Sequence, residues 1–350
     1  MSVKVAVIGA GGSIGSELVK FLFQYIADVQ VLALGRSTTS LRRVYETCGK
    51  KCIAHSFDVT NTSALKTLLQ QCDIVCNCAG PSSMIEGSVA RECLMAGVPY
   101  IDPSDFAFHA VQKEFSGQKE PYLALFGAGL VPGLSGIFSR WGWQQLVTRY
   151  DEPKRFDVYY AGKDIFSESA AFDYVVSIRS SEPPDLSLPV PHFQEIPGSG
   201  QTFLAFPYIS SEIQKIKSSL SAPLVYYNCF IGEEMLRTLG IIGRQQDISL
   251  SQAAKILRDA SIHCTDNYGK GHFFFGKLEM NSGEVKELSI NIDDANIIMG
   301  TIIGITVITI LQENLQGIHY LSEIIHPDKI INKLIDYNLI HIIANSKEEL

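Results

Sequence analysis

The sequence contains no apolar run long enough to cross a bilayer. Its longest apolar stretch, Ile297 to Leu311, has 15 residues, whereas a transmembrane helix needs about 20, and Asp294 and Gln312 bound it. The N-terminus carries no secretory leader pattern, and strand-like residues begin at Val3. We therefore expect a cytoplasmic protein without a membrane partner, in which the apolar stretch is a buried core helix.

The sequence also lacks the patterns by which proteins bind nucleic acids and metals. It has 29 Lys and Arg against 37 Asp and Glu, and the basic residues form no stripe. Nucleic-acid binding relies on clustered cations at phosphates. Cys72, Cys76 and Cys78 have no histidine nearby, and their spacing matches no common zinc pattern. We predict no nucleic-acid partner, no metal site and reduced cysteines.

What the sequence does contain is a regular alternation of short apolar strands and amphipathic helices over residues 1–130. Near-continuous apolar strands joined by helices are typical of a parallel sheet that is covered on both faces. This pattern predicts an α/β fold that begins with a doubly wound Rossmann domain. The predicted strands are Val3–Ile8, Val29–Leu34, Cys52–Phe57, Ile74–Asn77, Val98–Ile101 and Tyr122–Phe126.

The pattern changes near Tyr150 to a mixture of strands and helices. Residues 131–293 are predicted to form a mixed α+β domain with one large antiparallel sheet. Its proline-rich segment Glu182–Gly200 is predicted to be a long loop, either a lid or a disordered connector. Helical patterns return in residues 294–350, which we expect to pack back on the first domain.

The turn after the first predicted strand is rich in glycine. It lies between a strand and a helix, the context that a dinucleotide-binding turn requires. A Cβ in this turn would hold a pyrophosphate away from the backbone, and amides at the helix start can bind the phosphates. The predicted contact residues are Gly9, Gly11, Gly12, Ser13, Ile14 and Gly15.

The end of the second predicted strand distinguishes NADP from NAD. NAD-binding proteins usually place an acidic residue there to accept from the ribose 2′-hydroxyl. This chain instead has Gly35, Arg36 and Ser37, and Arg36 can form charge-assisted hydrogen bonds to a 2′-phosphate. Thr38 and Arg42 could add donors. The sequence therefore predicts NADP(H) as the cofactor.

Further cofactor contacts are expected beyond the carboxyl ends of later strands, where doubly wound sheets bind their ligands. The residues are Asp58 and Val59 toward adenine, Ala79, Gly80 and Pro81 toward the ribose and nicotinamide, and Gly129 and Pro132 toward the nicotinamide ring. Each of these could equally be an ordinary turn residue.

Three further segments, Asp73–Pro81, Ala96–Asp102 and Gly127–Ser135, have a distinctive sequence and order. Together with the glycine turn they resemble the saccharopine dehydrogenase-like family over about residues 1–140, and Gly317–Pro327 is similar to its C-terminal tail. The resemblance implies NADP(H)-dependent hydride transfer, an inserted substrate and dimerisation domain, and a helical return to the first domain. A homodimer is expected from this resemblance and from the large second sheet.

Four residues are candidates for catalysis. Asp102 and Asp105 follow the fifth predicted strand and could orient an ammonium or iminium substrate, although Asp105 could instead cap the next helix. Lys163 and Tyr174 lie around a helix start in the second domain and could donate a proton.

We predict an NADP-dependent oxidoreductase that reduces a C=N bond, or oxidises the corresponding secondary amine, of a small substrate, for which an amino-acid derivative is one candidate. One alternative is an enoyl (C=C) reductase of a lipid or polyketide pathway, which apolar residues such as Phe172 and Phe206 would suit. The other is a non-catalytic NADP-sensing regulator.

Overall fold

The computed structural model describes residues 2–48, 52–118, 122–180, 188–245 and 247–344. The chain forms two compact units. The first comprises Met1–Leu134 and Ala295–His326, and the second comprises Ser135–Asp294 and Pro327–Leu350. This division differs from the predicted one beyond His326, because the chain there joins the second unit.

The first unit contains a parallel sheet of seven strands. These are β1 (Val3–Ile8), β2 (Val29–Gly35), β3 (Cys52–Ser56), β4 (Ile74–Asn77), β5 (Tyr100–Ile101), β6 (Leu123–Phe126) and β13 (Gly317–Tyr320). The strand order is β13-β6-β5-β4-β1-β2-β3, and every neighbouring pair is parallel. The chain reverses its direction of winding between β1 and β4, where doubly wound sheets bind ligands. The predicted α/β Rossmann fold is confirmed.

Helices accompany this sheet. They are α1 (Ser13–Tyr25), α2 (Thr38–Cys48), α3 (Thr62–Leu69), α4 (Ser82–Ile85), α5 (Ser88–Met95), α6 (Phe108–Glu114), α12 (Ala295–Gln312) and α13 (Leu321–Ile324). On α1, Leu18 and Leu22 are completely buried, as expected for apolar residues one helical turn apart.

Helix α12 contains the long apolar stretch. By length and composition alone it could cross a membrane, and 61% of its residues are buried in the structure. It packs closely against α1, where a Cβ at Gly300 would lie 2.7 Å from the Leu18 amide nitrogen. A Cβ at Gly304 would lie 2.0 Å from the Phe21 ring. Within the first unit α12 is thus packed as a core helix.

The second unit contains a mixed sheet of seven strands. They are β7 (Pro153–Lys163), β8 (His192–Ile196), β9 (Gln201–Pro207), β10 (Leu224–Phe230), β11 (Gly271–Met280), β12 (Val285–Ile292) and β14 (Ile340–Ala344). Their order is β14-β12-β11-β7-β10-β9-β8. The prediction of an antiparallel sheet is wrong at one pair, because β7 and β10 are parallel. The long connection between these two strands permits the parallel return.

The remaining helices are α7 (Leu134–Leu146), α8 (Glu168–Ser180), α9 (Ser211–Lys217), α10 (Glu233–Arg244), α11 (Leu250–Tyr268) and α14 (Pro327–Asp336). Strands β13 and β14 interrupt the segment that was predicted to be only helical. Strand β14 pairs with β12, which places the end of the described chain in the second sheet.

The proline-rich segment is only partly a loop. Residues 182–187 lie outside the described residues, and β8 follows them as an edge strand paired with β9. Pro191 and Pro197 stand immediately before and after β8. Because prolines that flank a strand remove no hydrogen bond from its interior, they do not prevent it from forming.

Candidate functional site

The chain turns sharply after β1 at a residue that must be glycine. Gly9 has φ +79°, and a Cβ on it would lie 2.6 Å from the carbonyl carbon and oxygen of Cys78. The amides of Gly9 and Ala10 both donate to the Leu34 carbonyl, at 2.8 and 3.0 Å. The turn is therefore held against the ends of both β2 and β4, and no larger residue fits.

Helix α1 begins without a side-chain cap. Gly12 occupies the N-cap position, and the first helical hydrogen bond runs from the Ser16 amide to the Gly12 carbonyl at 3.0 Å. The amides of Ser13, Ile14 and Gly15 precede that bond, so they stand at the positive end of the helix. Backbone amides at a bare helix start form an anion site.

Two glycines of the predicted motif have packing roles. A Cβ on Gly15 would lie 2.3 Å from the Gly9 carbonyl oxygen, so Gly15 lets α1 approach the turn as predicted. A Cβ on Gly11 would lie 2.6 Å from the Ser40 Cβ. Gly11 thus makes room for α2, a reason that the sequence pattern did not reveal.

The end of β2 presents an exposed cation. The Arg36 side chain is exposed and makes no hydrogen bond or ion pair with the described residues. Arg42, in contrast, pairs with Glu46 at 3.0 Å. The Ser37 Oγ accepts from the Ser40 amide at 3.2 Å and so helps to begin α2. Of the two arginines, Arg36 is the one available to a phosphate.

The residues after β3 form a turn. The Asp58 Oδ1 accepts from the Thr60 amide at 3.0 Å and from the Thr60 hydroxyl at 2.8 Å, and these bonds lower the pKa of Asp58. Asn61 then caps α3 by accepting from the Ala64 amide. Val59 packs against the core of the unit. The adenine contact predicted for Asp58 and Val59 stays a prediction.

Two further loops leave the same edge of the sheet. After β4, Ala79, Gly80 and Pro81 are half-buried, and the Ala79 amide donates to the Asn77 side chain at 3.4 Å. After β6, a Cβ on Gly129 would lie 2.6 Å from the Pro103 carbonyl oxygen. Gly129 thus has a packing role, and Pro132 lies in the same turn. Their predicted contacts to the cofactor remain predictions.

Asp102 lies at the centre of a buried hydrogen-bond network. Its Oδ2 accepts from the Tyr100 hydroxyl at 2.5 Å and from Asn77 Nδ2 at 3.2 Å. Its Oδ1 accepts from the amide and hydroxyl of Ser104, both at 2.8 Å. Burial raises the pKa of Asp102, while these hydrogen bonds act in the opposite direction.

This network joins the ends of β4 and β5 and engages both oxygens of Asp102. The carboxylate predicted to orient a substrate is thus occupied in positioning the strand ends. Sequence reasoning missed Asn77 and Tyr100. The available signal was a set of polar residues at the ends of two strands that a doubly wound order makes neighbours.

Asp105 is held from a different strand. The Tyr320 hydroxyl at the end of β13 donates to its Oδ2 at 3.3 Å, and burial raises the pKa of this carboxyl. Helix α6 begins at Phe108 with Ala107 at its N-cap, so Asp105 is not the cap. Its carboxyl group links the chain after β5 to the segment that returns near the C-terminus.

The other two catalytic candidates belong to the second unit. The Lys163 ammonium donates to Gln201 Oε1 at 2.7 Å and to the Tyr268 carbonyl at 2.8 Å, and burial lowers the pKa of this lysine. Tyr174 packs against the Phe166 ring, and burial raises the pKa of its phenol. Each unit thus contains two of the four candidates.

The second unit also contains a chain of polar contacts that the sequence did not predict. The Tyr160 hydroxyl lies 3.0 Å from His272 Nδ1, and His272 Nε2 lies 3.3 Å from Asp164 Oδ2. Lys270 reaches the same carboxylate oxygen at 3.3 Å. The contact between His272 and Tyr160 depends on the register of β7 and β11, which cannot be read from the sequence.

Residues 5–122 match the family model described as the saccharopine dehydrogenase NADP binding domain. This part of the chain is similar to the NADP-binding domain of saccharopine dehydrogenases. The bare turn at Gly9, the amides at the start of α1 and the exposed Arg36 all fit an NADP molecule. The match makes NADP(H) the cofactor, as predicted, and with the fold it supports an NADP-dependent oxidoreductase.

Solved structures extend the likeness in fold beyond the NADP-binding domain. The chain is similar to a saccharopine dehydrogenase (L-Glu forming) from Saccharomyces cerevisiae, with a TM-score of 0.68 and 13% identity over 99% of this chain and 100% of that one. It is also similar to a dehydrogenase from Chromobacterium violaceum, with a TM-score of 0.48 and 9% identity over 96% and 95% of the two chains. Comparison with curated protein sequences gives no significant match.

We expect Arg36→Ala to weaken NADPH binding about 10- to 100-fold, because the variant loses the charge-assisted hydrogen bonds to the 2′-phosphate. NADH binding should change little, because NADH has no phosphate there. Calorimetric titration of both nucleotides measures the difference. Arg42→Ala is the matched control, since its surface ion pair with Glu46 contributes little. Equal losses for NADPH and NADH would contradict the assignment of Arg36.

Proposed function

We propose that this NADP(H)-dependent oxidoreductase reduces a C=N bond of a small polar substrate, or oxidises the corresponding secondary amine. The NADP-binding turn at Gly9, together with the family match over residues 5–122, carries the oxidoreductase part of the proposal. The yeast structure of similar fold bears the name of a saccharopine dehydrogenase that forms L-Glu. That name supports an amino-acid-derived substrate for this chain.

The character of the second unit supports a polar substrate over a lipid. Phe203, Phe273 and Phe275, which could have lined an apolar tunnel, are packed in a core cluster of the second sheet. The neighbouring polar groups Tyr160, His272 and Asp164 are instead joined in a chain of contacts. An enoyl reductase requires the opposite arrangement, with apolar groups free to meet an acyl chain.

The first unit supplies the binding groups for the cofactor. The amides of Ser13, Ile14 and Gly15 would bind the pyrophosphate, and the Arg36 guanidinium would bind the 2′-phosphate. The Asp102 network fixes the ends of β4 and β5, at the edge of the sheet where the nicotinamide half is expected. NADPH, when bound, supplies the hydride.

The test measures substrate-dependent consumption of NADPH through the decrease in NADPH absorbance. Purified protein is mixed with NADPH, an amino acid and a 2-keto acid, which form an imine in solution, and saccharopine with NADP⁺ tests the reverse direction. We expect nucleotide turnover only when both imine-forming partners are present. Turnover of a 2-enoyl thioester alone would overturn the proposal in favour of C=C reduction. Tight NADPH binding without turnover of any of these compounds would instead indicate a regulator.

A further inference from the structure

Two buried polar atoms on strand β10 have no hydrogen-bond partner within the described residues. They are the Tyr226 hydroxyl oxygen and Asn228 Oδ1, on side chains that are 1% and 9% exposed. A buried polar group without a partner costs about 1–3 kcal/mol. Because residues two apart on a strand point to the same face, both atoms lie on one side of the second sheet.

The polar side chain beside Asn228 is already engaged elsewhere. Asn228 is paired in register with Tyr160 on β7, and Tyr160 is itself held by His272. Burial raises the pKa of Tyr226, and neighbouring Tyr160 and Glu212 raise it further, so its phenol is neutral at pH 7. Glu212 is completely buried, and the Ser135 hydroxyl donates to it at 2.6 Å.

The acceptors around these two residues define the chemistry of a ligand. The phenol oxygen of Tyr226 and the amide oxygen of Asn228 both lack donors. A protonated secondary amine has two N–H groups and can supply one donor to each oxygen. A carboxylate ligand has no such pair of donors and would leave Asn228 Oδ1 without one.

We propose that Tyr226 and Asn228 form a binding site for the nitrogen of a small protonated amine on this face of the second sheet. The choice of an amine rests on the proposed function, in which a secondary amine is the reduced form of the substrate. Tyr160, fixed by the contact with His272, lies beside Asn228 and borders the site. The site lies wholly within the second unit, so it can be tested without the cofactor.

Tyr227 provides a matched control on the neighbouring position of the same strand. It points to the opposite face, where its hydroxyl group is bonded to Arg155 at 2.6 Å. Tyr226→Phe removes a hydroxyl that has no partner, so it should leave the melting temperature unchanged or raise it. Tyr227→Phe removes a made hydrogen bond and should lower the melting temperature.

The experiment titrates the full chain, without nucleotide, with N-methylbutylamine and separately with butyl methyl ether, which has the same shape but no N–H. We expect the amine to bind and the ether to bind at least tenfold more weakly. Tyr226→Phe and Asn228→Leu should each weaken amine binding at least tenfold, and Tyr227→Phe should leave it unchanged. The result for Asn228→Leu counts only if the circular dichroism spectrum of this variant matches that of the wild type. If the variant does not fold, the result for Tyr226→Phe decides the test.

Three outcomes would overturn the site. These are no amine binding by the wild type, equal binding of the ether, and unchanged amine binding in Tyr226→Phe, which would indicate that the two atoms merely share a buried water. Failure of the proposed function is recognised separately. Amine binding that depends on Tyr226 without any nucleotide turnover would support the site while the oxidoreductase proposal fails.

Discussion

Gly9→Ala should destabilise the chain by more than about 3 kcal/mol and weaken NADPH binding at least about 100-fold. The Cβ would enter the space of the Cys78 backbone at 2.6 Å, and a backbone atom cannot move aside as a flexible side chain can. An L-residue at φ +79° adds about 1–2 kcal/mol of strain. Urea unfolding measures the first effect, and calorimetric titration with NADPH at low temperature measures the second.

Gly117→Ala separates the cost of the positive φ from the cost of the close contact with Cys78. Gly117 has φ +85°, but a Cβ there meets no atom of the described residues within 4 Å. We expect about 1–2 kcal/mol of destabilisation from this variant and no change in NADPH affinity. If Gly9→Ala behaved like Gly117→Ala in both measurements, the close contact with Cys78 would have no role. The turn could then not be the pyrophosphate site.

Much of the first unit could be predicted because its strands are apolar on both faces. Val3–Ile8 and Ile74–Asn77 were predicted with the bounds that the structure shows. A buried parallel strand has a nearly continuous apolar sequence, and Gly or polar residues mark its end. The doubly wound parallel arrangement then followed from the alternation with helices, since crossover connections allow few arrangements.

The second unit was less predictable because its sheet depends on pairings between distant strands. The short strand β8 lies in a proline-rich sequence and exists because β9 pairs with it. The parallel pairing of β7 with β10 likewise has no local signal. The contact between Tyr160 and His272 depends on the register of β7 and β11, and a shift of one residue would put them on opposite faces.

The same limitation applied to the catalytic candidates. Composition and position could select Asp102 and Lys163 as unusual polar residues near strand ends, but could not show how many donors or acceptors each one meets. In the structure both side chains are buried and fully engaged. A buried ionisable group that already has its partners is costly to redirect toward a substrate. The unpartnered atoms of Tyr226 and Asn228 are the more informative feature, and only coordinates reveal them.

Asp102→Ala should destabilise the protein by about 3–5 kcal/mol, because it leaves several donors buried without an acceptor. The buried Tyr100 hydroxyl loses the acceptor of its proton, and the buried Asn77 amide loses one of its two bonds and keeps the one to the Tyr100 oxygen at 2.9 Å. Asp102→Asn retains an oxygen for Ser104, but its amide would replace the acceptor of the Tyr100 hydroxyl and would face the Asn77 amide donor to donor. We expect that variant to lose about 1–3 kcal/mol, less than Asp102→Ala because the bonds to Ser104 and the side-chain volume are kept.

The pH dependence of the free energy of unfolding distinguishes the effect of the Asp102 charge from that of its hydrogen bonds. Burial raises the pKa of Asp102 in the folded state above its ordinary value. A carboxyl group of this kind contributes stability that is present at low pH and is lost as the pH rises through the raised pKa. The wild type should therefore lose stability relative to Asp102→Asn on going from acidic to neutral pH. Urea unfolding of both proteins across that range measures the difference, and a wild type that gained stability relative to Asp102→Asn would show that the hydrogen bonds outweigh burial.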